Sequence, residues 1–148
     1  KFLPKMICNA AAKLPLPVYG DGRNVRDWLY VEDHCRAIDV VFHSAPSGEA
    51  YCVGGTSEWQ NIELLHLLCV QLDEKLGRTP GESAELITFV QDRPGHDYRY
   101  AMDASKLARD LGWTPQVSFE NGLERTMAWY LGNPEWVDEV SALLAAKK

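Results

Sequence analysis

The sequence lacks long apolar runs and lacks an excess of positive charge. No stretch approaches the roughly 18 consecutive apolar residues that a membrane-spanning helix needs, which predicts a protein without a membrane partner. The net charge of −6 argues against a nucleic-acid partner, because proteins that bind nucleic acid usually present a broad basic face. A small anionic ligand remains compatible with this charge, since a local cluster can be positive on an acidic protein.

Cysteine pairs are also lacking. The chain has four cysteines, Cys8, Cys35, Cys52 and Cys69, and none of them belongs to a Cys-x-x-Cys motif. Isolated cysteines in apolar stretches usually behave as small buried hydrophobes. We therefore predict free thiols, no metal site and a reducing, cytoplasmic environment.

Motifs that carry catalysis are absent from the sequence. There is no Gly-x-Gly-x-x-Gly loop for a dinucleotide, no P-loop and no His-Glu-x-x-His pair. None of the six tyrosines is followed by lysine four positions later, so the acid/base pair of short-chain dehydrogenases is absent. The sequence therefore predicts no catalytic residue within this chain.

What the chain does contain is the composition of one globular domain. Its 148 residues are 46% apolar and 24% charged, which predicts a single domain over residues 1–148. Short extended segments alternate with helical patterns, so we predict the α/β class. A helical pattern begins almost at the first residue, which is not Met, and this suggests a piece of a longer protein.

Several elements follow from the spacing of apolar residues. Alternation over residues 25–31 predicts a strand, and the helix after it is predicted to bury Ala37, Ile38, Val41 and Phe42. The short apolar run at residues 50–53 predicts a strand buried on both faces. For the next helix we predict Asn61 as the N-cap and an apolar face made by Ile62, Leu65, Leu68, Cys69 and Leu72.

The run of residues 92–100 is the most informative part of the chain. Pro94 and Gly95 predict a tight turn, and a turn there would direct Arg93 and His96 outward. A guanidinium offers a planar fork of donors that suits phosphate, and a histidine can add another donor. The alternative is an ordinary exposed hairpin whose arginine and aspartate side chains pair with each other.

The order of these segments resembles the C-terminal part of extended short-chain dehydrogenases/reductases. Within that family the Asp-Arg-Pro-Gly-His-Asp run and the Trp-Tyr…Asn…Trp tail favour the dTDP-glucose 4,6-dehydratases. The similarity spans nearly the whole chain and rests on the segments 2–4, 16–20, 26–34, 50–55, 61–62, 92–97, 99–101, 111–115, 129–131, 133 and 136.

This resemblance implies a role in gripping the nucleotide half of a dTDP-sugar. The positions that match the family's nucleotide-binding residues are Lys1, Pro17, Tyr19, Arg26, Asn61, Arg93 and His96. It further implies that NAD and the catalytic residues belong to a Rossmann core upstream of Lys1, so this chain alone would be inactive. The full-length family enzyme forms a 4-keto-6-deoxy sugar nucleotide for deoxysugar (rhamnose) biosynthesis and is expected to be a homodimer.

Alternatives stay open at this point, both for single residues and for the whole chain. Tyr19 could be a strand core aromatic, Arg26 could pair with Asp27 or Asp33, and Asn61 could be a plain helix cap. The chain could instead belong to a UDP-sugar epimerase or decarboxylase, which share the fold but replace the Arg-Pro-Gly-His turn. It could also be a non-catalytic nucleotide-sugar binding module, or a degenerate protein whose role is association.

Overall fold

A computed structural model describes residues 1–145 of the chain. These residues form helices and short strands in alternation, as the α/β class requires. Along the chain the elements are α1 (Phe2–Ala11), β1 (Leu16–Tyr19), β2 (Val25–Asp27), α2 (Val31–Ser44), β3 (Glu58–Gln60), α3 (Asn61–Leu76), β4 (Ile87–Val90), β5 (Arg99–Tyr100), α4 (Ser105–Leu111), α5 (Phe119–Gly132) and α6 (Pro134–Ala145). A single 3₁₀ turn, Ala84–Leu86, precedes β4.

The strands form two small sheets. Strands β1 and β4 pair in parallel, with Tyr19 opposite Val90. In the second sheet β2 lies in the middle, antiparallel to β3 and parallel to β5, with Arg26 opposite Tyr100. The loop of residues 91–98 therefore leaves one sheet and enters the other, so it is not the turn of a hairpin.

The larger hydrophobic core lies between α1, β1, α3 and α5. Its buried members are Met6, Ile7, Ala10, Leu16, Val18, Leu65, Leu68, Cys69, Leu72, Leu123 and Met127. Four of the five positions predicted for the α3 face are in this set, and Ile62 packs against it while partly exposed. Helical spacing predicted this face correctly because α3 has packing partners on α1 and α5.

The smaller core lies between α2 and α4 and differs from the prediction. Ala37 is buried there, together with Ala104, Leu107 and Trp113. Two other members of the predicted α2 stripe are exposed: Ile38 is 56% exposed and Phe42 is 82% exposed. Among the described residues α4 is the main helix packed on α2, and it leaves half of the predicted apolar face, Ile38 and Phe42, uncovered.

Three further predictions about elements were wrong. The strand predicted over residues 25–31 ends at Asp27, and Val31 already begins α2. Residues 50–53 are not part of a strand in the described chain, and Cys52 is exposed. The N-cap of α3 is Gln60, whose backbone is extended, and Asn61 is the first helical residue.

The final helix, predicted to end at Ala146 before two lysines, is observed as α6, and residues 146–148 lie outside the described residues. Within residues 1–145, no helix is long and apolar enough to cross a membrane. The same part of the chain contains no group of three His, Cys, Asp or Glu side chains that could hold a metal ion.

Candidate functional site

The loop of residues 91–98 begins at the carboxyl end of the parallel pair β1 and β4. Ligands of α/β proteins bind preferentially at this end of parallel strands. Gly20 follows β1 and donates its N–H to the carbonyl of Val90 at 2.9 Å. Gly20 has a φ of +57°, and a Cβ there would lie 3.3 Å from Oδ2 of Asp92. Glycine at this position therefore lets the loop pack closely against the end of β1.

His96 is held inside this loop on three sides. Its Nδ1 lies 2.7 Å from Oδ1 of Asp92, and its Nε2 lies 3.0 Å from Nη2 of Arg26. Its ring edge packs against Tyr19 in a T-shaped arrangement with centroids 6.0 Å apart. The side chain is only 7% exposed. The prediction that the Pro-Gly turn directs His96 outward was therefore wrong.

Asp92 anchors the start of the loop. Besides the contact with His96, Oδ1 of Asp92 accepts the backbone N–H of Arg93 at 2.8 Å. The hydrogen bond from His96 lowers the pKa of Asp92, and the bond from the Arg93 backbone adds to this effect. Asp92 therefore carries its negative charge at neutral pH and fixes the imidazole ring.

Arg26 connects β2 to the same loop. Its Nη1 donates to the carbonyls of Val25 at 2.6 Å and Tyr98 at 3.4 Å, and Nη2 donates to the carbonyl of Asp97 at 2.9 Å. Its guanidinium lies over the ring of Tyr100, with 4.6 Å from Cζ to the ring centroid. This cation–π contact and the carbonyls stabilise the cation without neutralising its charge.

The alternative in which Arg26 forms a surface ion pair does not match the geometry. Asp27 instead accepts the backbone N–H groups of Gly55 and Ser57, each at 2.8 Å. Asp33 is fully buried and accepts the N–H groups of the loop before α5, as well as a bond from Arg36. Within residues 1–145, no carboxylate lies within 4 Å of the Arg26 guanidinium.

Arg93 lies near the same phenol as Arg26. The Tyr100 hydroxyl donates to a carboxylate oxygen of Asp97, and that hydrogen bond raises the pKa of Tyr100. Arg26 and Arg93 both act in the opposite direction on this pKa through their positive charge. The Arg93 side chain is exposed and forms no ion pair with the described residues. The guanidinium of Arg26 lies over Tyr100, and Arg93, 67 positions later in the sequence, belongs to the loop that leads into the strand of Tyr100.

Pro17 and Tyr19 lie two positions apart on β1 and so share one face of the strand. Tyr19 is 48% exposed, with its ring against His96, so it is not a core aromatic. The end of β1 therefore offers a partly exposed apolar wall beside the arginines.

Asn61 is one step removed from this cluster. Its backbone N–H donates to the carbonyl of Asn24 at 3.0 Å, and the next N–H, of Ile62, donates to Gly22 at 3.0 Å. The side chain of Asn24 in turn reaches the carbonyl of Asp97 at 3.3 Å. These first N–H groups of α3 are not available to an anion, because both already have partners.

Lys1 lies elsewhere. It lines a groove of about 900 Å³ whose other walls come from α1, the β2–α2 connection, α5 and Trp136 of α6. Aromatic rings cluster there, with Trp129 and Trp136 centroids 4.9 Å apart. The structure thus brings together Pro17, Tyr19, Arg26, Arg93 and His96, with Asn61 nearby, and separates Lys1 from them.

Two members of the cluster were missed by the sequence analysis. Asp92 was read only as part of a turn, although the Asp-x-x-x-His spacing could have suggested a contact across it. Tyr100 was assigned only to an extended segment. Its contact with Arg26 depends on the parallel register of β2 and β5, and no local sequence signal reports that register.

The family model and the similar proteins agree on one family. The model described as GDP-mannose 4,6 dehydratase matches residues 1–126. A dTDP-glucose 4,6-dehydratase of Neisseria meningitidis serogroup B is 52% identical over 143 residues, which are 95% of this chain and 40% of the relative. This chain thus spans about 40% of the length of that relative.

Solved structures agree with the sequence match. A dTDP-glucose 4,6-dehydratase from Bacillus anthracis, solved in complex with NAD, is 46% identical with a TM-score of 0.79, over 92% of this chain and 40% of that one. An epimerase, Mth375 from Methanothermobacter thermautotrophicus, has the same TM-score of 0.79 at 30% identity, over 94% of this chain and 39% of that one. The fold is thus shared with an epimerase, while the higher identities fall on dehydratases. The chain therefore belongs to the GDP-mannose 4,6 dehydratase family, as a relative of its dTDP-glucose 4,6-dehydratases.

Proposed function

We propose that this chain binds the nucleoside diphosphate half of dTDP-glucose. The observation that carries the proposal is a pair of arginines, Arg26 over the Tyr100 ring and Arg93 on the adjoining loop, neither of which has a carboxylate partner within 4 Å among residues 1–145. On a chain of net charge −6, two such cations at the carboxyl end of parallel strands suit an anion of two charges.

The two arginines have different roles in the proposed site. The four Nη–H groups of Arg26 have acceptors at Val25, Tyr98, Asp97 and His96, which leaves the Nε–H and the positive charge for a ligand. The exposed side chain of Arg93 keeps its whole donor fork available. Arg93 is therefore the direct phosphate ligand, and Arg26 supplies charge while holding the loop that presents Arg93.

The remaining predicted contacts suit the nucleoside. Pro17 and Tyr19 provide a flat wall on which a thymine ring can pack beside the diphosphate. Asn61 reaches the ligand only through its side chain, because its backbone donor is occupied. Lys1 lines a separate groove, so it is left out of the proposed contacts with the nucleotide.

In the whole protein, we propose the reaction of its relatives: conversion of dTDP-glucose to dTDP-4-keto-6-deoxyglucose, which supplies deoxysugar (rhamnose) biosynthesis. NAD supplies the hydride chemistry and is held mainly by residues outside this chain. A Tyr-x-x-x-Lys pair and a glycine-rich loop are absent here, so the 148-residue chain by itself is proposed to be inactive. The whole protein is proposed to act in the cytoplasm as a homodimer.

Isothermal titration calorimetry with dTDP, dUDP and thymidine tests the binding role. We expect one site for dTDP, weaker binding of dUDP by about 1 kcal/mol for the lost methyl group, and little binding of thymidine. If thymidine bound as tightly as dTDP, the diphosphate would contribute nothing to affinity, which would contradict the proposed site. Turnover of dTDP-glucose by the 148-residue chain would contradict its proposed inactivity.

A further inference from the structure

We propose that His96 is a positioning residue, held in its neutral form with the proton on Nδ1, that orients the guanidinium of Arg26. In this role His96 does not itself bind phosphate. The effect of His96 on ligand affinity rests on the proposed nucleotide site. The protonation state of its ring does not depend on that site.

The donor and acceptor inventory fixes the protonation state. A guanidinium carries only N–H donors, so the Nε2 that lies 3.0 Å from Nη2 of Arg26 is the acceptor and carries no proton. The proton of the neutral ring is therefore on Nδ1, from which it is donated to Oδ1 of Asp92 at 2.7 Å. Imidazolium would instead direct an N–H and a positive charge at Arg26.

The surroundings hold the ring in this orientation. The side chain is 7% exposed, and Tyr19 packs on its edge. Asp92 is itself fixed by the backbone N–H of Arg93 and by close packing against Gly20. A ring tethered at both nitrogens cannot turn toward a ligand without breaking both contacts.

The position of Arg26 depends on this tether. Its other acceptors are backbone carbonyls, two of them on the loop that carries His96 itself. His96 is the one side chain that accepts from Arg26 among the described residues. Loss of the acceptor leaves Nη2 of Arg26 with the Asp97 carbonyl alone, so the guanidinium is oriented less firmly while the loop stays bonded to β2.

The two roles of His96 predict opposite effects of pH on ligand affinity. The charged and titratable groups that face the ring are Asp92, Asp97 and Arg93 of the loop, Tyr19 of β1, Arg26 of β2 and Tyr100 of β5. Protonation of His96 places two cations against each other and should weaken binding. A histidine that bound phosphate directly would bind better when protonated.

The first test is nuclear magnetic resonance of the imidazole nitrogens in the 148-residue chain near neutral pH, with His96 assigned by its loss in His96→Gln. We expect a neutral ring protonated at Nδ1. A proton on Nε2, or a largely charged ring, would overturn the proposal whether or not any nucleotide binds.

The second test is the affinity for dTDP-glucose from about pH 8 down to about pH 5.5, where histidine titrates but the phosphates of this diester do not. We expect the wild-type chain to lose about tenfold on acidification, and His96→Gln, whose amide oxygen can still accept from Arg26, to stay nearly constant. His96→Leu should bind weakly at every pH. Tighter binding of the wild type at low pH would overturn the positioning role. Absence of binding at any pH would instead contradict the proposed function and leave the test of the ring's proton decisive.

Discussion

Two polar networks each join segments distant in the sequence, and they differ in how exposed their cations are. In one, the carboxylate of Asp73 is 2% exposed and accepts the N–H groups of Gly81 at 3.0 Å and Ser83 at 3.1 Å. Arg78 donates to the last carbonyls of α1, Ala10 at 2.8 Å and Ala11 at 2.9 Å, and to the Ser83 hydroxyl at 3.0 Å. Arg78 is thereby partly buried against the end of α1, so its cation is not presented to solvent.

The network around Arg26 is built differently. Its guanidinium is held by carbonyls, an imidazole and an aromatic ring, none of which neutralises it. Arg93 next to it has no ion-pair partner among the described residues. The exposure of the Arg93 side chain, in contrast to the partly buried Arg78, is what distinguishes the candidate anion site from the structural anchor.

Removal of the structural anchor should have the largest effect on stability. Asp73→Ala leaves the buried N–H of Ser83 and the partly buried N–H of Gly81 without an acceptor, and we expect a loss of about 2–5 kcal/mol in the free energy of unfolding. Urea denaturation measures this loss. Removal of an exposed carboxylate in Asp39→Ala, on α2, is the control and should cost little. An Asp73→Ala variant as stable as wild type would erase the distinction between the two networks.

Removal of the Arg93 side chain should have the opposite effect, a loss of binding with little loss of stability. We expect Arg93→Ala to weaken dTDP binding by about 1.5–3 kcal/mol, through loss of a charge-assisted contact, with nearly unchanged stability. Calorimetry measures the affinity, and Arg109→Ala removes an exposed arginine that pairs with Asp110 as a matched control. Equal affinities for the two variants would remove Arg93 from the site.

A conservative change at Arg26 separates charge from geometry. Arg26→Lys keeps the positive charge but cannot serve four acceptors in one plane, so we expect dTDP affinity to fall by about 1 kcal/mol. Arg23→Lys, at an exposed arginine that pairs with Asp21, is the control. If both variants bind like wild type, the planar contacts of Arg26 have no part in shaping the site.

The smallest expected effect concerns Asp92. Its pKa is lowered from 3.8 by His96, so its contribution to stability is present above that pH and is lost as the pH falls through the lowered pKa. We expect the stability difference between wild type and Asp92→Asn to shrink in that acidic range. Unfolding curves at a series of pH values measure it. A difference that grows in that range would contradict the contact between Asp92 and His96.

Local patterns predicted those parts of the fold that depend on local packing. The spacing of Leu65, Leu68 and Leu72 found the buried face of α3. The same spacing failed for Ile38 and Phe42, because apolar periodicity indicates a face but not whether another element covers it.

The sequence suggested candidate residues for the site but not their geometry. The resemblance named Arg26, Arg93 and His96, whose role in binding stays a prediction, while the local pattern directed His96 outward and did not connect it to Arg26. Those two residues are 70 positions apart, and their contact depends on which strand receives the chain after the loop. The role of Asp92 in fixing His96 depends on the same tertiary arrangement.

A double-mutant cycle for dTDP binding with Arg26→Ala, Arg93→Ala and both changes together tests most directly whether the two arginines serve one diphosphate. If they do, their effects are not additive, and calorimetry should give a coupling energy of at least about 0.5 kcal/mol. Strict additivity, in which each change costs the same whether or not the other arginine is present, would contradict a shared anion site.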